Sequence, residues 1–436
     1  MKLNGNQLDG MHKSMLDAIQ NNFELGKKEG LTHLYVENDQ INGRMITINN
    51  MKALNYSSCS YLGLEIDDRL KKGAIDAIQK YGVQYSCSKT YTSVPLYKEL
   101  EELTSQMFGG HTLITPSTSL AHVSTFGVII EDNDAVLIDH QAHASLHNGL
   151  RLIKGGNVTV EVVRHNNMEI LEERIIELSK TNNKIWYCFD GVYSMYGDYA
   201  PFKDIKRLLD KYDQLHLYCD DAHGMSWIGE NGSGYAMSQI GLTERMVLVT
   251  SLNKSFAAGG GVIVSKDLAL IDRVRFCGSS LIFSGPIPPP MLGAAVASAK
   301  IHLSKEMPFL QNQLSERRAF TQNLLKQYNL ITPEITDSPV FFVGIGGDNI
   351  HVGVDIVKCL IREGFYLNIS TFPAVPKKNT GLRFTVTNHH TLNDISNLIQ
   401  AMSYHIDRAW KEHDVPLKKV TRAFKLNDYK GIKIAG

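Results

Sequence analysis

Short apolar runs alternate with amphipathic stretches along the middle of this chain. Residues 134–138, 158–163, 185–189, 215–219, 246–250 and 261–264 are each short and nearly continuous in apolar side chains. Runs of that length, bounded by polar residues, predict strands buried on both faces. Between them, 168–179 and 201–212 carry the helical period. Phe202, Ile205, Leu209 and Tyr212 give the second of these a buried face, and Pro201 suits its first turn. Leu96, Leu100, Leu103 and Met107 recur at helical spacing after Pro95, and Gly109-Gly110 ends that helix. Strands alternating with helices predict an α/β fold with a mainly parallel sheet flanked by helices.

After the break at Pro286-Ile287-Pro288-Pro289-Pro290, one long helical pattern runs from about 290 to 328. A smaller α+β region is expected beyond it: strand 339–343, helix 352–363, strand 365–369, strand 382–387 and helix 392–406 capped by Thr391. Three parts follow from this reading. They are an N-terminal arm over 1–55, a large domain over 56–300 and a small C-terminal domain over 301–436.

Composition narrows the classes. Lys+Arg and Asp+Glu both number 45, so no basic field points to nucleic acid or an anionic membrane surface. The basic tail from 415 is short and reads as a solvated terminus. No stretch of about 18 apolar residues is present, so no integral membrane segment is expected, and a cytoplasmic enzyme is the expectation. The six cysteines form no C-x-x-C pair; they read as reduced, and no metal site is expected.

In an open parallel sheet, ligands bind beyond the carboxyl ends of the strands. Asp190, Asp220 and Ser251 fall at such ends. His223 follows Asp220 by three residues, and Lys254 follows the 246–250 run. A carboxylate for a ring nitrogen, a donor for a ring oxygen and an amine for an aldehyde suit pyridoxal 5'-phosphate. Ser117, Thr118 and Ser119 precede a helical stretch, where backbone N–H groups and hydroxyls receive a phosphate; Ser251 adds another hydroxyl. Singly, each is an ordinary cap or loop residue, because short motifs match by chance. Their order and spacing together carry the reading.

At these residues the chain resembles the α-oxoamine synthases, which are fold-type I, aminotransferase-like pyridoxal phosphate enzymes. The resemblance covers about residues 50 to 405. It rests on Asn55 to Leu64, His143 to Leu146, Asp190 to Asp198, Asp220 to Gly224 with Gly229 to Gly232, and Leu382 to Thr385. It implies that His143 stacks on the cofactor ring, Ser194 lies near the ring oxygen, and Asp220 and His223 meet the nitrogen and oxygen. Lys254 is implied as the Schiff-base lysine that also moves the substrate α-proton. Arg383 is implied to hold the amino-acid carboxylate. Ser284, in Phe283-Ser284-Gly285-Pro286, is implied to reach the phosphate of a partner subunit in a homodimer with a shared active site.

The implied reaction condenses an amino acid with an acyl thioester, on CoA or an acyl carrier protein, with loss of CO2, giving an α-amino ketone. The chain departs from the family pattern at Thr118 and Ser119, at His122 and Cys59 (both usually Asn), at Ser251, Asn253 and Gly285. These positions border the substrate, Cys59 among them. With the long arm before residue 50, they favour a lipid-type product from serine, alanine or an acidic analogue. Another fold-type I activity, aldolase or aminotransferase, is the alternative within enzymes. A non-catalytic subunit of a heteromeric synthase is disfavoured because Lys254, Asp220 and His223 are all present.

Overall fold

The computed structural model describes residues 5–153, 158–333, 336–347, 350–426, 429 and 431–433; the extreme ends of the predicted arm and tail lie outside them. The chain forms two compact units. One is Ser60–Ser194 with Tyr199–Gln313; the other is Met1–Cys59, Met195–Asp198 and Leu314–Gly436. The divisions therefore fall at 59/60 and 313/314 rather than at 55/56 and 300/301. The arm belongs to the same unit as the C-terminal region. The physical reason is strand pairing: Met51–Asn55 pairs in parallel with Phe365–Tyr366 and antiparallel with Met45–Ile48.

The larger unit is built on seven strands. Their spatial order is His111–Thr115, Gly261–Ser265, Met246–Ser251, Leu215–Asp220, Ile185–Asp190, Ala135–Asp139, Thr159–Val163. The strands at 135–139, 159–163, 185–190, 215–220 and 246–251 run in parallel. Gly261–Ser265 is antiparallel to both of its neighbours. The six predicted strands all form. The edge strand His111–Thr115 was not predicted: it opens on an exposed histidine and has polar residues at 112 and 115, so no apolar run marks it.

Both faces of this sheet are buried. Leu137, Tyr187, Phe189, Leu217 and Leu248 pack on one face. Val136, Trp186, Tyr218, Val249 and Ile263 pack on the other. The alternation of side chains along each strand assigns them. On the first face, Asp68–Tyr81 and Pro289–His302 cross with unusually close backbones. A methyl placed on Gly293 would lie 2.1 Å from the Gly73 carbonyl oxygen.

The predicted helix over 290–328 is two helices, Pro289–His302 and Met307–Gln327. The Ser304 hydroxyl accepts from the Glu306 N–H at 3.2 Å in the break, and Pro308 takes the second position of the new helix, where no N–H is needed.

The smaller unit has Val340–Gly344, Gly381–Thr385 and Asn368–Ser370 as one antiparallel sheet, with Ile350–Arg362 and Leu392–Glu412 supplying its helices. The predicted strand 365–369 divides: Phe365–Tyr366 joins the N-terminal strands, and Asn368–Ser370 joins the 381–385 strand. Thr391 caps the last long helix in a reciprocal box with Asp394, and Arg44 holds the same carboxylate at 2.6 and 2.9 Å.

Candidate active site

The carboxyl ends of the central strands surround a cavity of about 200 Å3 in the larger unit. The strands end on Asp190, Asp220 and Ser251, as their apolar runs predict, so three polar groups share one rim. Ser117 opens the helix Thr118–Ile129; its hydroxyl accepts from the Leu120 N–H at 3.2 Å. Ser117, Thr118 and Ser119 line the cavity together with Ser251. A methyl on Gly261 would come within 2.7 Å of the Thr118 nitrogen, so this glycine lets the helix start sit against the sheet edge.

Lys254 is half-buried in the connection from Ser251 to Gly261 and lines the same cavity. Backbone bonds brace this connection: Leu252 N–H to Gly260 O at 3.0 Å, and Ala257 N–H to Lys254 O at 2.9 Å. The Asn253 side-chain oxygen accepts from the Gly260 N–H at 2.6 Å, and Ser251 Oγ accepts from the Asn253 N–H at 3.1 Å.

Asp220 is buried, at 4 % exposure. Its Oδ1 accepts from the Ala222 N–H at 3.0 Å, and its Oδ2 lies 3.0 Å from His122 Nε2. Burial pushes this carboxyl up, but the His122 hydrogen bond and the charges of His122, Lys254 and His143 outweigh it and bring it down to about 2. Asp190 is driven the other way, by burial first and then by the Asp220 charge. Its Oδ1 accepts from the backbone N–H of His143 at 3.0 Å and so places that residue on the rim. His143 Nδ1 lies 2.7 Å from Ser145 Oγ. His223 is buried with its Nδ1 2.8 Å from the Tyr61 hydroxyl, and Trp227 Nε1 donates to its carbonyl at 2.7 Å.

Asp221 has its own enclosure. Its carboxylate lies where side chains on Gly191, Gly224 and Gly234 would stand, at 2.3, 2.1 and 2.4 Å. Oδ2 accepts from the Ala236 N–H at 2.9 Å, while Oδ1 has no hydrogen-bond partner. Burial raises this carboxyl to about 8. Between about pH 4 and pH 8 the folded chain therefore keeps a proton at Asp221 that the unfolded chain has released. The stability of the fold falls as pH rises through that window. Asp221→Asn mimics the protonated acid and is expected to match the native chain near pH 4. It should gain on the order of 3 kcal/mol relative to it between pH 5 and pH 8. Urea unfolding of both proteins across that range checks this; a constant gap would show that Asp221 does not titrate there.

Most of the residues expected from the sequence meet at this cavity: Ser117, Thr118, Ser119, His143, Asp220, His223, Ser251 and Lys254. Ser194 belongs to the same unit but is not among the lining residues. The Ser284 hydroxyl turns back to the Ser280 carbonyl. Cys59 and Arg383 belong to the smaller unit, Arg383 buried in the strand Gly381–Thr385. Tyr61 and the contact of His122 with Asp220 were missed. His122 carried a signal, since it stands four residues after Thr118 and so on the same helix face.

The donor set fits a phosphorylated pyridine aldehyde. Hydroxyls and a helix start suit its phosphate, a buried anion suits its ring nitrogen, and an amine suits its aldehyde. Among the described residues no cluster of metal-ligating side chains occurs, and no helix is long and apolar enough to cross a membrane.

Residues 54–402 match the family of class I and II aminotransferases. The chain is 31 % identical over 359 residues to 8-amino-7-oxononanoate synthase of Petrotoga mobilis, covering 81 % of this chain and 88 % of that one. It is 30 % identical over 366 residues to serine palmitoyltransferase of Sphingobacterium spiritivorum, covering 82 % and 87 %. Among solved structures, serine palmitoyltransferase from S. paucimobilis superimposes with a TM-score of 0.81 at 21 % identity, over 91 % of this chain and 98 % of that one. At that identity the likeness speaks for the fold.

Proposed function

The chain belongs to the α-oxoamine synthases, within the class I and II aminotransferase family, and from that premise we propose a lipid-forming member. It is a pyridoxal phosphate-dependent C-acyltransferase. Its reaction class is the decarboxylative condensation of an amino acid with an acyl thioester. The finer reading is a long-chain acyl thioester, on CoA or an acyl carrier protein, joined to serine, alanine or an acidic analogue. The product would be a sphingolipid- or sulfonolipid-like α-amino ketone.

The observation that carries the reaction is the convergence of Asp220, His223, Ser251 and Lys254 on one cavity with Ser117 at a helix start. The bound cofactor supplies an electron sink for a carbanion at the amino-acid α-carbon. Ser117, Thr118, Ser119 and Ser251 would hold its phosphate, and Asp220 its protonated ring nitrogen. His143 would stack on the ring, while His223, steadied by Tyr61, and Ser194 would serve the ring oxygen. Lys254, as the free amine, takes the proton from the α-carbon and later returns one. Arg383 would bind the amino-acid carboxylate through its two-pronged guanidinium.

Support for a lipid-type product comes from the relative named serine palmitoyltransferase and from the 24-residue helix Gly5–Lys28 ahead of the family-matched region 54–402. The departures at Thr118, Ser119 and Asn253 add to it, since all three line the cavity. A test screens amino acids for changes in the cofactor's visible absorbance, then measures thiol release with acyl thioesters of rising length. Faster release with long unsubstituted chains is expected. A preference for a short, ω-carboxylated acyl group would overturn the lipid reading, and cleavage or transamination without thiol release would overturn the condensation.

Arg383→Ala is expected to raise the amino-acid KM roughly 100-fold with a smaller effect on the acyl-donor KM. Unchanged amino-acid kinetics would remove Arg383 from the site. We also propose a homodimer in which Ser284 serves the partner's phosphate. Phe283 is 86 % exposed and Tyr91 80 %, and their segments are tied together by the Ser88 hydroxyl on the Ile282 carbonyl at 2.8 Å. Large apolar side chains exposed on two segments that touch favour a covering partner. Light scattering that returns a monomer at micromolar concentration would refute it.

A further inference from the structure

Tyr218 and Asp220 stand two residues apart on one strand, so both side chains point to the same face of the sheet. His122 comes down on that face from the helix Thr118–Ile129 and spans the two. Its Nδ1 is 3.0 Å from the Tyr218 hydroxyl, and its Nε2 is 3.0 Å from Asp220 Oδ2. All three are buried, with His122 and Tyr218 at 0 % exposure. Phe126 packs against both the Tyr218 ring, with centroids 4.4 Å apart, and the His122 ring, at 6.2 Å. Water is therefore excluded from the relay by an apolar wall.

The direction of the hydrogen bonds follows from the chemistry of the ends. An ionised carboxylate only accepts, so His122 Nε2 donates to Asp220. In the neutral imidazole Nδ1 then accepts and the Tyr218 O–H donates to it, whereas in the imidazolium Nδ1 donates to the Tyr218 oxygen. Every polar atom in the relay finds a partner of the right kind. Without it Asp220 would be a buried anion held by one backbone N–H, from Ala222. Burial alone favours the neutral acid, which cannot keep a positive ring nitrogen opposite it.

We propose that His122 and Tyr218 are positioning residues, forming a buried relay that keeps Asp220 ionised and fixed for the ring nitrogen of the cofactor. The proposal rests on the pyridoxal phosphate reading above and deepens it, because it assigns the state of that ring to residues outside the cavity wall. The lowered titration of Asp220, with its bond to His122 among the causes, agrees with it.

The test loads the holoenzyme with cofactor labelled with 15N at the ring nitrogen and follows the nitrogen signal with pH. In the native enzyme the ring nitrogen should stay protonated across the range in which the protein is folded. His122→Phe removes both bonds and keeps a planar ring at the position. It should release that proton near neutral pH and weaken cofactor affinity roughly 10- to 100-fold, as expected for loss of a charge-assisted hydrogen bond. It should lower kcat while the amino-acid KM moves little, since Asp220 does not touch the amino acid in this scheme. Tyr218→Phe should shift the nitrogen titration in the same direction by less. His122→Gln, whose amide nitrogen can stand where the imidazole Nε2 stands and still donate to Asp220, should restore most of the native signal.

A ring-nitrogen signal and affinity unchanged in both His122→Phe and Tyr218→Phe would overturn the relay. Equal losses in His122→Phe and His122→Gln would overturn it too, assigning His122 to packing. If His122→Phe does not fold, Tyr218→Phe decides alone, and a native titration there refutes the proposal. A native chain that takes up no cofactor would instead refute the functional reading, and the relay's role with it.

Discussion

Lys254→Ala is expected to abolish condensation, by about 1,000-fold or more, while leaving the fold in place. The side chain reaches the cavity that also holds Asp220 and His223, and among the described residues no other lysine lines that cavity. It is the amine there that can move a proton at the substrate α-carbon. The backbone around Lys254, by contrast, is held by bonds that do not involve its amine. Leu252, Asn253 and Gly260 bond across the connection, Ala257 closes a turn on the Lys254 carbonyl, and Ser255 Oγ accepts from the Leu62 N–H at 3.2 Å. The unfolding midpoint should therefore shift by no more than a few degrees, roughly the effect of 1 kcal/mol in a domain of this size. Three measurements decide it: steady-state thiol release, the visible absorbance retained after dialysis with cofactor, and thermal unfolding. Product formation at a native rate would remove Lys254 from the chemistry. Loss of activity together with loss of the fold would leave the neighbouring His223 and Asp220 to be tested by the same assays.

The largest loss of stability is expected at Gly293. Replacing a helical glycine by alanine ordinarily stabilises a helix by about 1 kcal/mol. Here the new methyl would meet the Gly73 carbonyl at 2.1 Å and the Ala77 methyl at 2.7 Å. Neither is the end of a flexible side chain, so the two helices must move apart. We expect Gly293→Ala to cost about 3 kcal/mol, the upper end for overpacking, against its own helix propensity. Gly127 provides the contrast. It lies exposed in the helix Thr118–Ile129, and a methyl there would touch nothing within 4 Å. Gly127→Ala should stabilise by about 1 kcal/mol. Urea denaturation of both variants reads opposite signs if helix approach is what fixes Gly293. Equal signs would mean that the crossing can relax.

The fold was legible wherever burial on both sides of the sheet wrote itself as an apolar run. The strands ending at Asp190, Asp220 and Ser251 are of this kind, and so the rim of the cavity was legible with them. What escaped had physical causes. His111–Thr115 lacks the run because it opens exposed and carries threonines at 112 and 115. The antiparallel direction of Gly261–Ser265 leaves no mark, since a buried strand reads alike in either sense. The residues at 365–370 serve two sheets, a switch that no periodicity records. The break between the helices at 289–302 and 307–327 did leave a mark, Pro308, outweighed by the continuing apolar pattern. In the site, Asp220, His223 and Lys254 were legible because strand ends and short spacings hold them. Tyr61 was not, because its partner His223 is 162 positions away and only tertiary structure brings them together.

The antiparallel strand also dictates when the cavity can exist. Thr115 pairs with Gly261, and the turn of helix carrying Ser117 and Thr118 rests against that same glycine. Contacts so distant in sequence form slowly, because a long loop must close before they repay its entropy. The stretch from Ser251 to Gly261, joining two neighbouring strands, closes quickly by comparison. The lysine connection can therefore close early in folding, and the proposed phosphate cradle forms only when the edge strand docks. Cofactor present at that moment binds the docked form alone and draws the population toward it by mass action, acting as a folding ligand before it acts as a reagent.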